Sequence, residues 1–161
     1  MTINVFKSKI LNNNSNEPTD PITTEIIRNS LNSAAEQMKK ALIRSSFSPI
    51  IYEVLDFASA IYDQNYCMLA QSPSLPGFMG TLSFCVEQAV KEVGGESNLF
   101  DGDIIIYNNP YGSGSHSQDA AIVKPVYLEK KLIGYTAIKA HWLDTGGKEP
   151  YSTDTVDVFQ E

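Results

Sequence analysis

The chain has 161 residues, 42% of them hydrophobic and 19% charged, with a net charge of −7. That length holds one domain with a core of its own, and the composition is ordinary for a globular protein. The acidic balance leaves no basic footprint for nucleic acid or an anionic membrane, and no run of 18 apolar residues marks a spanning helix.

The first nineteen residues, with Asn12, Asn13, Asn14, Asn16 and Pro18, read as a polar, flexible leader. They lack the apolar stretch of a secretory signal, so the expected location is the cytoplasm. Asp20-Pro21 then has the form of a helix cap followed by proline at the first helical position. A helix is predicted over 21–46. Its apolar stripe is Ile27, Leu31, Ala34, Met38 and Ala41, and Ser48-Pro49 ends the segment. Strands at 57–62 and 66–70, joined by the turn Asp63-Gln64-Asn65, read as a hairpin.

A Pro- and Gly-rich loop follows over 72–80. A second helix is expected at about 81–93, with Leu82, Cys85, Val86, Ala89 and Val93 inward and Gly94-Gly95 as its stop. The run Ile104-Ile105-Ile106 within 103–107 predicts a strand buried on both faces. Residues 108–117 form a Gly-rich loop. Two further strands, 121–127 and 132–140, flank the charged turn Glu129-Lys130-Lys131, and Pro125 argues for an edge or a bulge. Gly146-Gly147 opens a polar tail. The architecture expected is α+β: a mostly antiparallel sheet with two main helices packed against it. Cys67 and Cys85 show no CxxC spacing and read as two buried, reduced thiols.

Reactive chemistry concentrates in a few places. The two histidines of the chain, His116 and His141, lie in the Gly-rich loop and at the end of the last strand. Asp119 follows His116 at His-x-x-Asp spacing, so both side chains can converge on one ion. Imidazole with carboxylate suits zinc, manganese or iron. A second histidine from a neighbouring strand would complete three ligands and leave a position open. Asp56, between Leu55 and Phe57, is a charge among apolar residues and needs a partner: a metal, a cap or an ion pair. On the residues alone, the two histidines read more readily as ordinary surface or core positions than as ligands. The Gly112-Ser113-Gly114-Ser115 run matches neither a P-loop nor a dinucleotide fingerprint, and no nucleophile elbow is present.

The order of four blocks resembles the hydantoinase B/oxoprolinase B family, which includes the metal-binding subunits of acetone and acetophenone carboxylases. They are Tyr52-Glu53-Val54-Leu55-Asp56-Phe57-Ala58, Asp101-Gly102-Asp103, Asn108-Asn109-Pro110-Tyr111 through His116 and Asp119, and Lys139-Ala140-His141-Trp142 with Asp144, Gly146 and Gly147. The resemblance runs from Asp20 to the end, so 20–161 would be the N-terminal metal-binding portion of a larger subunit. It implies a divalent ion (Zn²⁺, Mn²⁺ or Fe²⁺) on Asp56, His116, Asp119 and His141; on chemical grounds Asp144 or Glu53 is a candidate general base, Asp144 being better suited to orienting His141. It also implies a hydantoinase A-type ATPase partner in a hetero-oligomer. That partner, using ATP and Mg²⁺, would phosphorylate the carbonyl of a small cyclic amide such as a lactam, hydantoin or oxoproline. Trp142 stands where hydantoinase-like members often carry a second histidine, which keeps a ketone carboxylase in view. From other classes, a non-catalytic docking domain for the ATPase and a stand-alone metallohydrolase are the rivals.

Overall fold

The computed structural model describes residues 20–113 and 116–145. The leader 1–19, the loop residues Gly114 and Ser115, and the tail from Gly146 onward lie outside the described residues.

Asp20 caps helix α1 (Pro21–Ser45), accepting from the Thr23 backbone at 3.1 Å, with proline at the start as the sequence predicts. The stripe Ile27, Leu31, Ala34 and Met38 is half-buried, but Ala35 is the residue fully enclosed. Ala41 is exposed and Leu42 takes its place, because the 3.6-residue period drifts off a strict three-four alternation over about four turns. The short helix α2 (Pro49–Tyr52) follows, with Glu53 at its C-cap.

Strands β1 (Phe57–Asp63) and β2 (Met68–Gln71) form the expected hairpin. Its turn is held by Asp63, whose carboxylate accepts from the backbone of Asn65 and Cys67 at 2.8 and 2.9 Å. This wider turn delays β2 and leaves Cys67 exposed, correcting its expected burial. Helix α3 (Pro76–Glu92) begins inside the segment read as a loop: Pro76 and Gly77 occupy its first positions, where a missing N–H costs nothing. Its buried face is Phe78, Leu82, Cys85, Val86, Ala89 and Val90. Val93, at the C-cap, is 38% exposed.

The three-isoleucine reading is also corrected. Strand β3 (Ile105–Tyr107) is a short edge strand with one buried face, and Ile104 and Ile106 are exposed. After the single turn α4 (Pro110–Ser113), strands β4 (Asp119–Leu128) and β5 (Lys131–His141) pair along their whole length. The connecting turn is two residues, Glu129 and Lys130, both with positive φ, the geometry a tight hairpin requires. Pro125 sits in β4 beyond the stretch that pairs with β3, so its lacking N–H leaves no ladder bond unmade there. A register shift follows at Val126/Tyr127.

All pairings are antiparallel, in the order β2-β1-β5-β4-β3. Side chains alternate across this sheet. Ala58, Ala60, Tyr62, Ala121, Val123, Tyr135 and Ala137 turn to one face and form the core with α3. Ser59, pointing the other way, donates to the Ala35 carbonyl of α1 (3.4 Å) and shares a 2.7 Å hydrogen bond with Ser72. Phe57 and Ala140 meet Ile51, Leu42 and Ile43 on that same side. The two long helices therefore sandwich the sheet. Gly134 of β5 lies against the Tyr62 carbonyl of β1, where a Cβ would collide with the oxygen. No helix among the described residues is long and apolar enough to cross a membrane.

A candidate metal centre at the sheet end

The paired ends of β1, β5 and β4 bring the chemistry together. Asp119 opens β4 directly opposite His141 at the end of β5. The backbone N–H of His141 donates to the Asp56 carbonyl at 3.1 Å, which places Asp56 at the same sheet end. His116 reaches the group through a tight turn in which the Asp119 N–H donates to the His116 carbonyl (3.1 Å) and the Asp119 carboxylate accepts from the His116 N–H (2.9 Å). The turn is what His-x-x-Asp spacing permits. The Trp142 N–H donates to the Gln118 carbonyl at 2.8 Å, pinning the chain beyond β5 to the same loop.

Asp119 is wholly buried and lies between the two imidazoles. Its Oδ1 is 2.8 Å from His141 Nδ1 and its Oδ2 is 3.2 Å from His116 Nδ1. The rings stand edge to face, 6.0 Å apart. One donor atom from each of His116, Asp119 and His141 lies within 4.8 Å of the others, so a local pair and a residue from the next strand converge on a volume one cation can fill.

Asp56 lines the same cavity of about 270 Å³, with Leu75, Phe78, His116, Gln118, Asp119 and His141. Its Oδ1 is buried and has no hydrogen-bond partner among the described residues. Burial raises the Asp56 pKa and Asp119 adds to the rise, while His141 and His116 counter it. Leu55, immediately before it, holds φ at +60°, a left-handed conformation that costs a side-chain-bearing residue about 1 kcal/mol. Strain of this kind persists only where surrounding structure over-determines it, commonly beside functional groups. Two imidazoles and a shared carboxylate make a donor set that fits a divalent first-row ion, while Asp56 lines the same cavity but lies outside that close group.

Of the two expected general bases, Glu53 is exposed at the end of α2. Asp144 lines a second cavity, with Ile106, Asn108, Ala120, Trp142 and Thr145. The carboxylate of Asp119 meets His141 Nδ1 at 2.8 Å. Sequence reasoning missed Lys139, fully buried with its Nζ 5.5 Å from the Phe78 ring centroid. It stands in the Lys139-Ala140-His141-Trp142 block, but nothing in the sequence singled it out as buried.

An α+β domain with a His/His/carboxylate cluster at its sheet end is one that could hold a divalent ion there. The comparisons narrow this. The hydantoinase B/oxoprolinase family model matches residues 20–161, and the chain belongs to that family. It is 34% identical over 155 residues to a B-type D-/L-hydantoinase chain of a Pseudomonas species, covering 88% of this chain and 25% of that one. The ATP-dependent caprolactamase structure from Pseudomonas jessenii superposes with a TM-score of 0.73 at 30% identity, over 84% of this chain and 23% of that one. A nucleotide-free acetone carboxylase gives 0.72 at 20% identity, over 81% and 17%, a likeness of fold. The chain spans 26% or less of the length of the curated relatives it matches.

Proposed function

We propose that this chain is the N-terminal metal-binding portion of a subunit that opens a cyclic amide in concert with a separate ATPase subunit of the hydantoinase A type. The observation carrying this reading is the convergence of His116, Asp119 and His141 within 4.8 Å, with Asp56 lining the same cavity. The names of the relatives support the rest: a hydantoinase subunit, and a caprolactamase described as ATP-dependent.

In this reading Asp56, His116, Asp119 and His141 hold one divalent ion, zinc, manganese or iron. Bound there, such an ion supplies Lewis-acid chemistry to a carbonyl oxygen or to water. Asp119 fixes the His141 ring from the buried side, so the imidazole does not have to be ordered when the ion arrives. Leu75 and Phe78 give the cavity an apolar wall that excludes water beside the charged cluster. An unstrained amide is a poor electrophile, and phosphorylation of its carbonyl oxygen by the ATPase partner makes the ring carbon attackable. Asp144 and Glu53 are the candidates for the general base. Loss of kcat at unchanged metal content in Asp144→Asn or Glu53→Gln assigns the role.

The test is reconstitution of the full-length subunit with its ATPase partner on a lactam, a hydantoin and 5-oxoproline. Ring opening is expected only with partner, ATP and divalent ion together. Turnover without partner or nucleotide contradicts the division of labour. A ketone carboxylase is the second reading, favoured by Trp142 beside His141. Incorporation of labelled bicarbonate into a ketone, with no ring opening of any amide, would select it. Absence of any divalent ion in protein purified without chelator would leave a docking domain.

A further inference from the structure

The wall of the cavity that holds the histidines includes a polar side chain with no part in the ligand set. Beside the proposed ligands and the apolar Leu75 and Phe78, the cavity is lined by Gln118. Gln118 is 8% exposed, so its carboxamide is shielded from bulk water, a placement that costs free energy unless hydrogen-bonding groups meet it. It stands inside the His-x-x-Asp turn, between His116 and Asp119. Its backbone carbonyl is fixed, accepting from the Trp142 and Ala120 N–H groups at 2.8 and 3.0 Å. The Ser117 hydroxyl donates to its Oε1 at 3.4 Å, a long contact that orients the carboxamide without gripping it.

A primary carboxamide presents a donor N–H and an acceptor oxygen side by side. A small cyclic amide presents the matching pair, because its ring forces the amide cis and puts N–H and C=O along one edge. An open-chain secondary amide is trans and carries them on opposite edges. A ketone has no N–H. We infer that Gln118 is the specificity-determining residue of the site: its carboxamide pairs with the N–H and C=O edge of a cyclic amide beside the two histidines, and so selects that class over ketones and open-chain amides. This rests on the proposed function above. The cavity of about 270 Å³ is at the small end for ligand clefts, which suits a single ring. Turned over, the same carboxamide donates to the ring nitrogen once the carbonyl oxygen carries phosphate.

The experiment uses the full-length subunit loaded with Mn²⁺, wild type beside Gln118→Met and Gln118→Leu. Circular dichroism reports the fold and elemental analysis the metal content. Bound Mn²⁺ broadens the proton resonances of any ligand next to it. Titrations of 2-pyrrolidinone, ε-caprolactam, their N-methyl forms, N-methylacetamide and acetone, each alone, therefore give affinities at this centre. Wild type is expected to bind at least one of the two lactams about tenfold more tightly than its N-methyl form, N-methylacetamide or acetone, as two ordinary hydrogen bonds imply. In both variants that lactam should fall to the level of the others, which change by less than about twofold. A merely structural glutamine would weaken all the ligands alike. A lactam preference that persists in the folded, Mn²⁺-loaded variants overturns the inference, as does a wild type without one or with no broadening of any ligand; each leaves the metal centre standing. Failure of both variants to fold or to hold Mn²⁺ assigns Gln118 to the scaffold of the turn and overturns it too. A wild type that binds no Mn²⁺, Zn²⁺ or Fe²⁺ removes the proposed function itself, and this inference with it.

Discussion

Replacing Asp119 by Asn keeps the shape of the side chain and removes its charge. The carboxylate takes three contacts: His141 Nδ1 at 2.8 Å, the His116 backbone N–H at 2.9 Å and His116 Nδ1 at 3.2 Å. An amide has one acceptor oxygen. With that oxygen on the His116 N–H, the NH₂ group must face His141. The backbone bond survives in weaker, uncharged form, and the buried His141 contact survives only if the ring switches tautomer to accept. Hydrogen bonds to a charged group contribute about 1.5–3 kcal/mol each, so the metal-free protein should lose about 2 kcal/mol in urea unfolding. Metal binding loses a ligand and the group that orients His141. Orienting partners alone cost 10–100-fold, so a drop of at least about 100-fold, near 2.7 kcal/mol, is expected. Competition against a chromophoric chelator measures it. Affinity within about threefold of wild type, with an unchanged circular dichroism spectrum, would refute the reasoning, since Asp119 would then neither bind nor orient.

Other consequences follow from the packing. Leu82→Ala removes a fully enclosed side chain between α3 and the sheet and should cost about 3 kcal/mol in denaturant unfolding, with metal stoichiometry unchanged in the folded fraction. Cys67 is exposed, whereas burial pushes the Cys85 thiol up to about 11. Iodoacetamide at pH 8 should therefore attach one group per folded chain, at Cys67, and two after denaturation. Two groups on the native protein would contradict the burial of Cys85. Asp20→Ala should lower stability by about 1 kcal/mol through loss of the α1 cap, without touching the site.

Much of the site was readable because its geometry is local. His-x-x-Asp spacing allows one turn to join His116 and Asp119, and a charge between Leu55 and Phe57 singles out Asp56. The meeting of Asp119 with His141 depends on the register of β4 against β5, which no single segment specifies. The α+β architecture, the antiparallel sheet and the long first helix followed from period and caps. The three-isoleucine strand misleads because its composition reports hydrophobicity but not coverage: β3 is an edge strand, and α1 covers the opposite, β1–β2 end of that sheet face. Helix α3 starts earlier than its apolar period because Pro76-Gly77 resembles loop chemistry while also suiting a helix start. The burial of Lys139 was not legible, because a lysine in a strand is ordinarily solvated. Only the alanines opposite it and the ring of Phe78 reveal its burial.

Elemental analysis of the full-length subunit purified without chelator, wild type beside His116→Ala and His141→Ala, tests the account most directly. One equivalent of zinc, manganese or iron is expected in wild type and less than about a tenth of that in either variant, at unchanged secondary structure. Full occupancy in both variants would contradict the assignment of these histidines as ligands.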